Sequence, residues 1–566
     1  MNPSSQRLAS VVCLAALSAC AMLRFEPDRN ARAPVLDGFG TATLAITTAS
    51  PDARRWFDQG MVQAYAFNET EAVRAFKAAL AQDPNCAMCA WGVAYQLGPN
   101  INAVERGDLS EAVTHVDHAL RMASGASPKE RALIEALALR YARGTAARDM
   151  APLLGAVCGK GGSASKANPL DVAYAERMRA LADQYPDDAD VVSIYAEAEL
   201  IATRDDWWNA SGQPAGRIGE VADRLERALR NHTQHTGLNH YLIHTVDAVP
   251  VAQRAEAAAD RLGLLAPMSP HLLHMPAHTY LNLGRFDDAV RVNQQALAAD
   301  VSLAELQKTQ GFTVSKDWRG HNGRFLWYAA LMQGRGELAL ETARRSAERA
   351  AQREGEFFDY VRSLPTLTLL RLQRWDEVLR EGEPTGVMGV ILSTSARGVA
   401  LSRKGDAAGA SAALVKLEPL AATALLSHSG KDRDDDDEHK MLRAMIDSSL
   451  RRLQAEVAAN EQRMDEAVAH QNAALTAVAD IDGAEPPMLA AGQRLALGEL
   501  QLRAQRWGDA EKSFRQDLAE RPGSAWALRG LAQAVQQQGR AAEAAALRAR
   551  ADAAWAQADA AVKQLR

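Results

Sequence analysis

A pair of histidines recurs in this chain at a fixed distance, and this recurrence constrains the fold more than any other feature. His240 and His244 stand four residues apart, and so do His274 and His278, which follow 34 residues later. Side chains four apart share one face of an α-helix, and 34 residues is the period of a repeating helix-turn-helix unit. The spacing therefore predicts two helices in neighbouring repeats that present the same two residues at the same height.

The pattern extends to further residues on either side of the second pair. His271 adds one turn to that pair, and Gly334 matches Gly284 when the next repeat is aligned. In this alignment, the positions that correspond to the histidines fall on a third helix. They are His321, Arg324 and Tyr328, and Asn322 lies next to His321. We therefore expect three adjacent helices to hold these histidines, an arginine and a tyrosine on one shared surface.

The composition favours helix and argues against binding to nucleic acid. Hydrophobic residues make up 47% and charged residues 24% of the 566 residues, which is ordinary for a folded chain. Alanine dominates, with Leu, Arg, Glu and Gln behind it, and these residues are strong helix formers. The net charge of -6 has interspersed signs and offers no basic stripe for phosphates, so we expect no nucleic-acid partner. The chain is predicted to be all-α.

Large and small residues recur at spacings typical of paired helices. The clearest copy consists of Trp56, Gly60, Ala72, Phe76, Ala79 and Pro84. A second copy consists of Gly498, Trp507, Ala510, Phe514 and Pro522. Small residues let one helix approach the next, and the proline stops the second helix. We predict a tetratricopeptide-repeat-like α-solenoid of stacked helical hairpins, with N-terminal repeats over 51–160, central repeats carrying the histidines over 161–360, and C-terminal repeats over 361–566.

Several strings resemble one bacterial family of tetratricopeptide-repeat (TPR) proteins. They are Cys89-Ala-Trp-Gly, Leu97-Gly-Pro-Asn-Ile-Asn102, Asp206-Trp-Trp208, Asn239-His-Tyr-Leu-Ile-His244, His274-Met-Pro-Ala-His278, His321-Asn322 and Phe325-Leu-Trp327. Members of the family often have Tyr at the position of Leu242 and Ser at that of Ala277, and neither difference changes a histidine. The resemblance implies architecture and no particular chemistry.

The N-terminus looks like a processing segment. Arg7 precedes a short apolar run that ends in Leu17-Ser18-Ala19-Cys20, which resembles a bacterial lipoprotein signal with Cys20 as the lipidated residue. An ordinary cleaved signal is the alternative. We predict a signal over 1–20 and a tether over 21–50, flexible or ordered on contact. Ala21 then suggests the outer membrane of a Gram-negative bacterium, with a periplasmic protein held there only by its lipid. We expect no later segment to reach the length of a membrane span.

Cys86 and Cys89 form a CxxC pair. In an oxidising compartment such a pair can close as a disulfide, which we favour over a free thiol pair and over a metal site. The following residue is not the histidine of a haem attachment site, and no βαβ pattern surrounds the pair.

The histidines themselves point to a metal. Seven of the 13 histidines lie within residues 232–278, although histidine is not a preferred helix former. Imidazole binds zinc and copper, and a neighbouring element commonly completes the ligand set. We predict metal ligands among His240, His244, His271, His274, His278 and His321, with the two pairs able to supply one four-nitrogen site on a concave surface. Arg324, Tyr328 and Asn322 are candidate ligand-binding residues.

Two other interpretations of the cluster stay open at this stage. The first is a groove that binds an anion, a peptide or a protein partner without metal, and the second is simple packing. A metal-dependent enzyme is a further option, with Tyr328, Asp247 or Glu256 as proton carriers. No phosphate loop, dinucleotide fingerprint or Ser-His-Asp order is found in the sequence.

Overall fold

A computed structural model describes residues 31–102, 107–144, 168–203, 207–314, 317–430, 437–479, 481, 486 and 488–565. The predicted signal segment and Cys20 lie outside these residues. The described residues divide into two compact units, one within Met1–Val35 and Ala42–Arg204 and the other within Leu36–Thr41 and Asp205–Arg566. The described residues form helices and contain no named β-strand, so the all-α prediction is confirmed.

The first unit consists of helices that each pack against the next along the chain. They are α1 (Pro51–Tyr65), α2 (Glu69–Gln82), α3 (Ala87–Gln96), α4 (Ser110–Met122), α5 (Pro128–Arg140), α6 (Pro169–Gln184) and α7 (Ala189–Ala202).

In the second unit, helices that follow one another along the chain also pack against each other. Its helices are α8 (Ile218–Leu229), α9 (Thr236–Thr245), α10 (Glu256–Leu265), α11 (Pro270–His274), α12 (Pro276–Leu283), α13 (Phe286–Thr309), α14 (Arg319–Gln333), α15 (Gly336–Ala350), α16 (Glu356–Arg371), α17 (Trp375–Arg380), α18 (Val387–Arg403), α19 (Ala407–Ser427), α20 (Asp437–Asn460), α21 (Met464–Ala479), α22 (Met488–Arg503), α23 (Trp507–Glu520), α24 (Ala525–Gln537), α25 (Ala541–Ala554) and α26 (Ala560–Lys563).

The glycines of the repeat pattern allow an aromatic ring to lie between two helices. A Cβ atom added to Gly60 or to Gly92 would lie 2.4 Å from the ring of Phe76, which is fully buried. The same arrangement recurs in the second unit, where Gly498 and Gly530 flank Phe514. Each ring therefore fills the space that two absent side chains leave, as the repeat pattern predicts. The TPR-like stacking of helical hairpins follows from this packing.

The segment before α1 is extended and partly buried in its described residues. In the first unit, Thr43 and Thr47 donate side-chain hydrogen bonds to Asp190 and Glu130. In the second unit, the backbone N–H of Thr41 donates to the hydroxyl of Thr236 at 2.8 Å. The described part of the predicted tether is therefore ordered by contact with the repeats.

One helix contradicts the expectation that no later segment is long enough to span a membrane. Helix α19 has 21 residues and is apolar enough to pass that test by length and composition. It packs between α18 and α20, while Val415 and Leu426 on it are exposed.

The last helices of the second unit return to its central helices. Helix α14 contacts α24, and the indole N–H of Trp526 donates to the carbonyl oxygen of Leu331 at 2.8 Å. The indole N–H of Trp555 donates to the carbonyl oxygen of Met332 at 3.2 Å. These contacts bring together helices that are about 200 residues apart in the sequence.

Candidate metal centre

Six histidines meet inside the second unit, and four helices supply them. Helix α9 carries His240 and His244, α11 carries His271 and His274, α12 carries His278, and α14 carries His321. Three of these helices have a clear local reason to form where they do. His235 caps α9 by accepting from the N–H of Leu238, Ser269 caps α11, and Pro276 starts α12 at a position where its missing N–H costs nothing.

The first group of three comprises His240, His244 and His271. The Nε2 atom of His240 lies 3.0 Å from Nε2 of His244 and 3.1 Å from Nε2 of His271. All three ligand atoms fall within 4.8 Å of one another, and all three side chains are buried. The group therefore places three imidazole nitrogens around a single point.

The second group comprises His274, His278 and His321, and it repeats this geometry. The Nε2 atom of His274 lies 3.1 Å from Nε2 of His278 and 3.0 Å from Nε2 of His321. Two of these histidines are buried, and His321 is half-buried. Two nitrogens that bind one tetrahedral zinc ion at the usual bond length are about 3.3 Å apart, so the spacing in both groups approaches that of a shared ion.

Hydrogen bonds at the opposite ring nitrogens fix the orientation of two rings in the second group. The Asn293 amide nitrogen donates to the carbonyl oxygen of Ala289, so its amide oxygen faces Nδ1 of His274 at 2.7 Å. Nδ1 of His278 lies 2.7 Å from a carboxylate oxygen of Asp247. Each Nδ1 therefore carries the proton of the neutral ring, and each Nε2 keeps its lone pair. Two lone pairs that face each other at 3.1 Å repel unless a cation lies between them.

Burial favours the neutral form of two imidazoles in this cluster. Desolvation, together with the neighbouring histidines, holds the pKa of His244 well below its usual value. The same causes, desolvation first, lower the pKa of His274. Only the neutral ring can donate a lone pair to a metal, so the environment favours the form that binds.

The two groups are neighbours in space. The ring centroids of His244 and His278 are 6.3 Å apart, as are those of His271 and His274. This differs from the predicted four-nitrogen site, because His271 joins the first pair and His321 joins the second. Five of the six rings are also buried inside the unit, whereas the sequence predicted that they lie on a concave surface.

The other predicted residues of the third helix have contacts or surroundings away from the histidine groups. The Arg324 guanidinium lies over the ring of Phe357 at 5.3 Å, and Tyr328 lines a separate cavity. Tyr328 lies seven residues after His321, which is about 10 Å along the helix axis. Asn322 is buried, and its amide donates to Asp300 at 3.3 Å. The contacts found for these residues are with groups outside the two sets of three histidines.

Two aromatic residues contact the centre, and sequence reasoning assigned neither of them to it. The Phe325 ring lies 4.5 Å from that of His274 and 4.6 Å from that of His278, and Trp318 stacks on His271 at 4.3 Å. Phe325 stands four residues after His321, so helical spacing could have identified it. Trp318 precedes the helix, and the spacing gives no signal for it. Both rings help to keep water from the imidazoles.

The candidate proton carriers have other partners. Asp247 accepts from His278 and from the amide of Asn282, so its role is to orient a ring. Glu256 forms an ion pair with Arg285 at 2.8 Å. Near the start of α14, burial raises the pKa of Asp300 to about 7, and this carboxyl group accepts from the backbone N–H of Trp318.

The first unit contains the cysteine pair. Cys86 caps the start of α3, and its sulfur is bonded to that of Cys89. Both residues are buried. The structure therefore places a short disulfide at the junction of two helices.

Comparison with solved structures finds other helical-repeat proteins. The APC/C hetero-tetramer Cut9-Hcn1 matches with 11% identity and a TM-score of 0.25, covering 91% of this chain and 89% of that chain. A monomeric mutant of IFIT1 with m7Gppp-AAAA matches with 11% identity and a TM-score of 0.31, covering 82% and 90%. The TPR domain of P58(IPK) matches with 10% identity and a TM-score of 0.20, covering 86% and 99%.

TM-scores and sequence identities this low do not indicate a function for this protein. The fold is assigned from the helices described above. No protein-family profile and no curated protein matches this chain.

Proposed function

We propose that this protein binds two divalent transition-metal ions, zinc or copper, in a buried six-histidine centre. One ion is held by His240, His244 and His271, and the other by His274, His278 and His321. The observation that carries the proposal is that two Nε2 atoms approach a third at 3.0–3.1 Å in each group, with all three ligand nitrogens within 4.8 Å of one another. Three neutral imidazoles whose nitrogens face one point can donate their lone pairs to a metal ion at that point.

The ligand chemistry supports these metals over other common ions. The ligand atoms of both groups are all imidazole nitrogens. Magnesium and calcium prefer oxygen ligands and bind imidazole weakly. The Asp247 carboxylate behind His278 is the usual partner of a metal-bound histidine, because it raises the donor strength of the ring. A three-histidine site leaves a coordination position open, at which a bound metal supplies Lewis acidity toward water or another small ligand.

Metal titration of chelator-stripped protein tests the proposal. We expect two zinc or copper ions per chain by elemental analysis, and a rise in thermal stability with metal concentration because the metal binds the folded state. His240→Ala and His278→Ala should each remove about one ion per chain, because each change takes one ligand from one group. His470→Ala is the matched control, since His470 lies on α21 outside both groups.

The stoichiometry separates the alternatives. A single ion per chain that is lost in both variants would favour one shared site over two. Equal and weak binding in the wild type, in both variants and in the control would refute the metal proposal. In that case a proton held by His278 beside Asp247 explains the second group, and a scaffold for a protein or peptide partner becomes the better interpretation.

We also propose that Cys20 carries a lipid that anchors the protein in a periplasmic location, on the basis of the sequence Leu17-Ser18-Ala19-Cys20. Cys20→Ser should move the protein from the membrane fraction to the soluble fraction when it is expressed in a Gram-negative host. If the variant stays in the membrane fraction, the lipid anchor is wrong, and the apolar helix α19 becomes the segment to delete next.

A further inference from the structure

A cavity of about 130 Å³ lies in the second unit, apart from the histidine centre. Every second helix from α14 to α24 lines this cavity. The six lining helices are α14, α16, α18, α20, α22 and α24. Its walls are mostly apolar and aromatic. They include Trp327, Tyr328, Leu331, Tyr360, Leu392 and Trp526.

Two arginines face this apolar cavity. The Arg371 guanidinium lies 4.0 Å above the ring of Trp526, and one of its buried terminal nitrogens has no hydrogen-bond partner among the described residues. Its nearest carboxylate, Glu499, is 3.5 Å away from the other terminal nitrogen. Arg452 lines the same cavity. Burial lowers the pKa of both groups, which shows how poorly their charges are solvated.

Two of the carboxylates near these arginines, those of Glu456 and Asp517, are already engaged by other arginines. Glu456 forms ion pairs with Arg403 at 2.8 Å and with Arg503 at 3.0 Å. Asp517, which also acts on Arg371, forms an ion pair with Arg521 at 2.6 Å. With Glu499, these residues provide three negative charges against the five arginines of this cluster. Among the described residues, two positive charges therefore stay uncompensated next to an apolar space. Burying such charge is costly unless an anion completes the arrangement.

We propose that this cavity binds a small organic anion, a carboxylate attached to an apolar or aromatic body. The carboxylate accepts hydrogen bonds from Arg371 and Arg452, and the body packs against Trp327, Tyr360 and Trp526. Arginine suits this role because its planar donors match the two oxygens of a carboxylate. The site is independent of the metal centre, since none of the six histidines lines it.

Titration with 4-phenylbutyrate, read by tryptophan fluorescence and calorimetry, tests the proposal. The neutral control is 4-phenylbutyramide, which has the same body without the charge. We expect the acid to bind at least about 10-fold more tightly than the amide, because a hydrogen bond between two charged groups is stronger than one to a neutral amide. Equal binding of acid and amide, or no binding of either, overturns the proposal without the use of any variant.

Variants then locate the anion. Arg452→Gln should weaken acid binding about 10-fold and leave amide binding unchanged, whereas the exposed Arg550→Gln should change neither. Unchanged acid binding in a folded Arg452→Gln variant contradicts the assignment. A tripeptide ending in phenylalanine, compared as free acid and as amide, separates the two sources of a carboxylate. Tighter binding of the tripeptide acid than of 4-phenylbutyrate assigns the cavity to a peptide end instead of a small acid.

Discussion

Asp247 holds Nδ1 of His278 at 2.7 Å, and this contact turns the lone pair of Nε2 toward His274. The aspartate follows α9 directly and thus belongs to the chain segment of the first histidine group, while the ring that it orients belongs to the second. Asn282 donates to its other carboxylate oxygen at 2.7 Å and holds the carboxylate in place. One carboxylate therefore joins the two halves of the candidate centre.

Asp247→Asn should weaken metal binding in the second group by about 10- to 100-fold, because the loss of an outer hydrogen-bond partner typically has this effect on a histidine ligand. Competition with a chelator of known affinity measures the change. Asp465→Asn serves as the control, since that carboxylate is almost fully exposed and lies on α21. A ring that needed no orientation would bind metal equally well in both variants.

Gly498→Ala should destabilise the protein by about 1–3 kcal/mol, because overpacking a filled core forces side chains and backbone to move. The added methyl group would lie 2.5 Å from the ring of Phe514. Gly508→Ala is the matched control: nothing lies within 4 Å of its added methyl group, and we expect no loss of stability. Urea unfolding of both variants checks the difference, and equal midpoints would show that the ring can shift freely.

His115 should make the stability of the first unit sensitive to mild acid. Burial, with smaller contributions from Lys77 and His118, lowers its pKa from 6.5 to about 4, although Glu111 acts in the opposite direction. The unfolded chain therefore takes up a proton between these values while the folded chain does not. Stability is complete above pH 6.5 and falls as the pH approaches 4.

His115→Gln removes that titration, so its stability should depend less on pH than that of the wild type. The two proteins should differ by about 2 kcal/mol in their response to acidification from pH 7 to pH 5. Denaturant unfolding at both pH values provides the measurement. If the unfolding free energies of the two proteins changed equally with pH, the folded protein would accept a proton on His115 without losing stability, which contradicts the prediction.

Cys86→Ser should lower stability by about 2 kcal/mol, because the disulfide closes a loop of only four residues and short loops gain least from closure. The serine hydroxyl can replace the sulfur as the helix cap, which isolates the effect of the crosslink. Reduced wild type should match the variant in thermal unfolding. Mass spectrometry after alkylation should find both thiols blocked before reduction, and free thiols at this stage would exclude the bond.

The sequence predicts the helical architecture well because its signals are local. Gly60 and Phe76 lie in adjacent helices of one hairpin, and their spacing repeats with Gly498 and Phe514. Such patterns depend on helix geometry and on a constant repeat length, and both can be read from a single chain. The return of α24 to α14 has no such signal, because it joins residues about 200 positions apart.

The sequence identifies the six histidines of the candidate centre. It does not show that they divide into two groups of three. The four-residue spacing identifies His240 with His244 and His274 with His278, since these pairs share a helix face. The assignment of His271 to the first pair depends on the short helix α11, which ends where Pro276 begins α12. Asn293 lies on the following helix, and only tertiary packing brings its amide oxygen to His274.

The bond from Trp526 to Leu331 also sets a condition on how the protein is made. The two residues are 195 positions apart, so a ribosome working at 5–20 residues per second needs about 10 to 40 s to deliver the second after the first. During that interval the nascent chain holds α14 without the helix that covers it, and apolar groups such as Leu331 are exposed. A chaperone is expected to engage the chain at this stage, and a transcript truncated before α24 should yield a product that proteases remove.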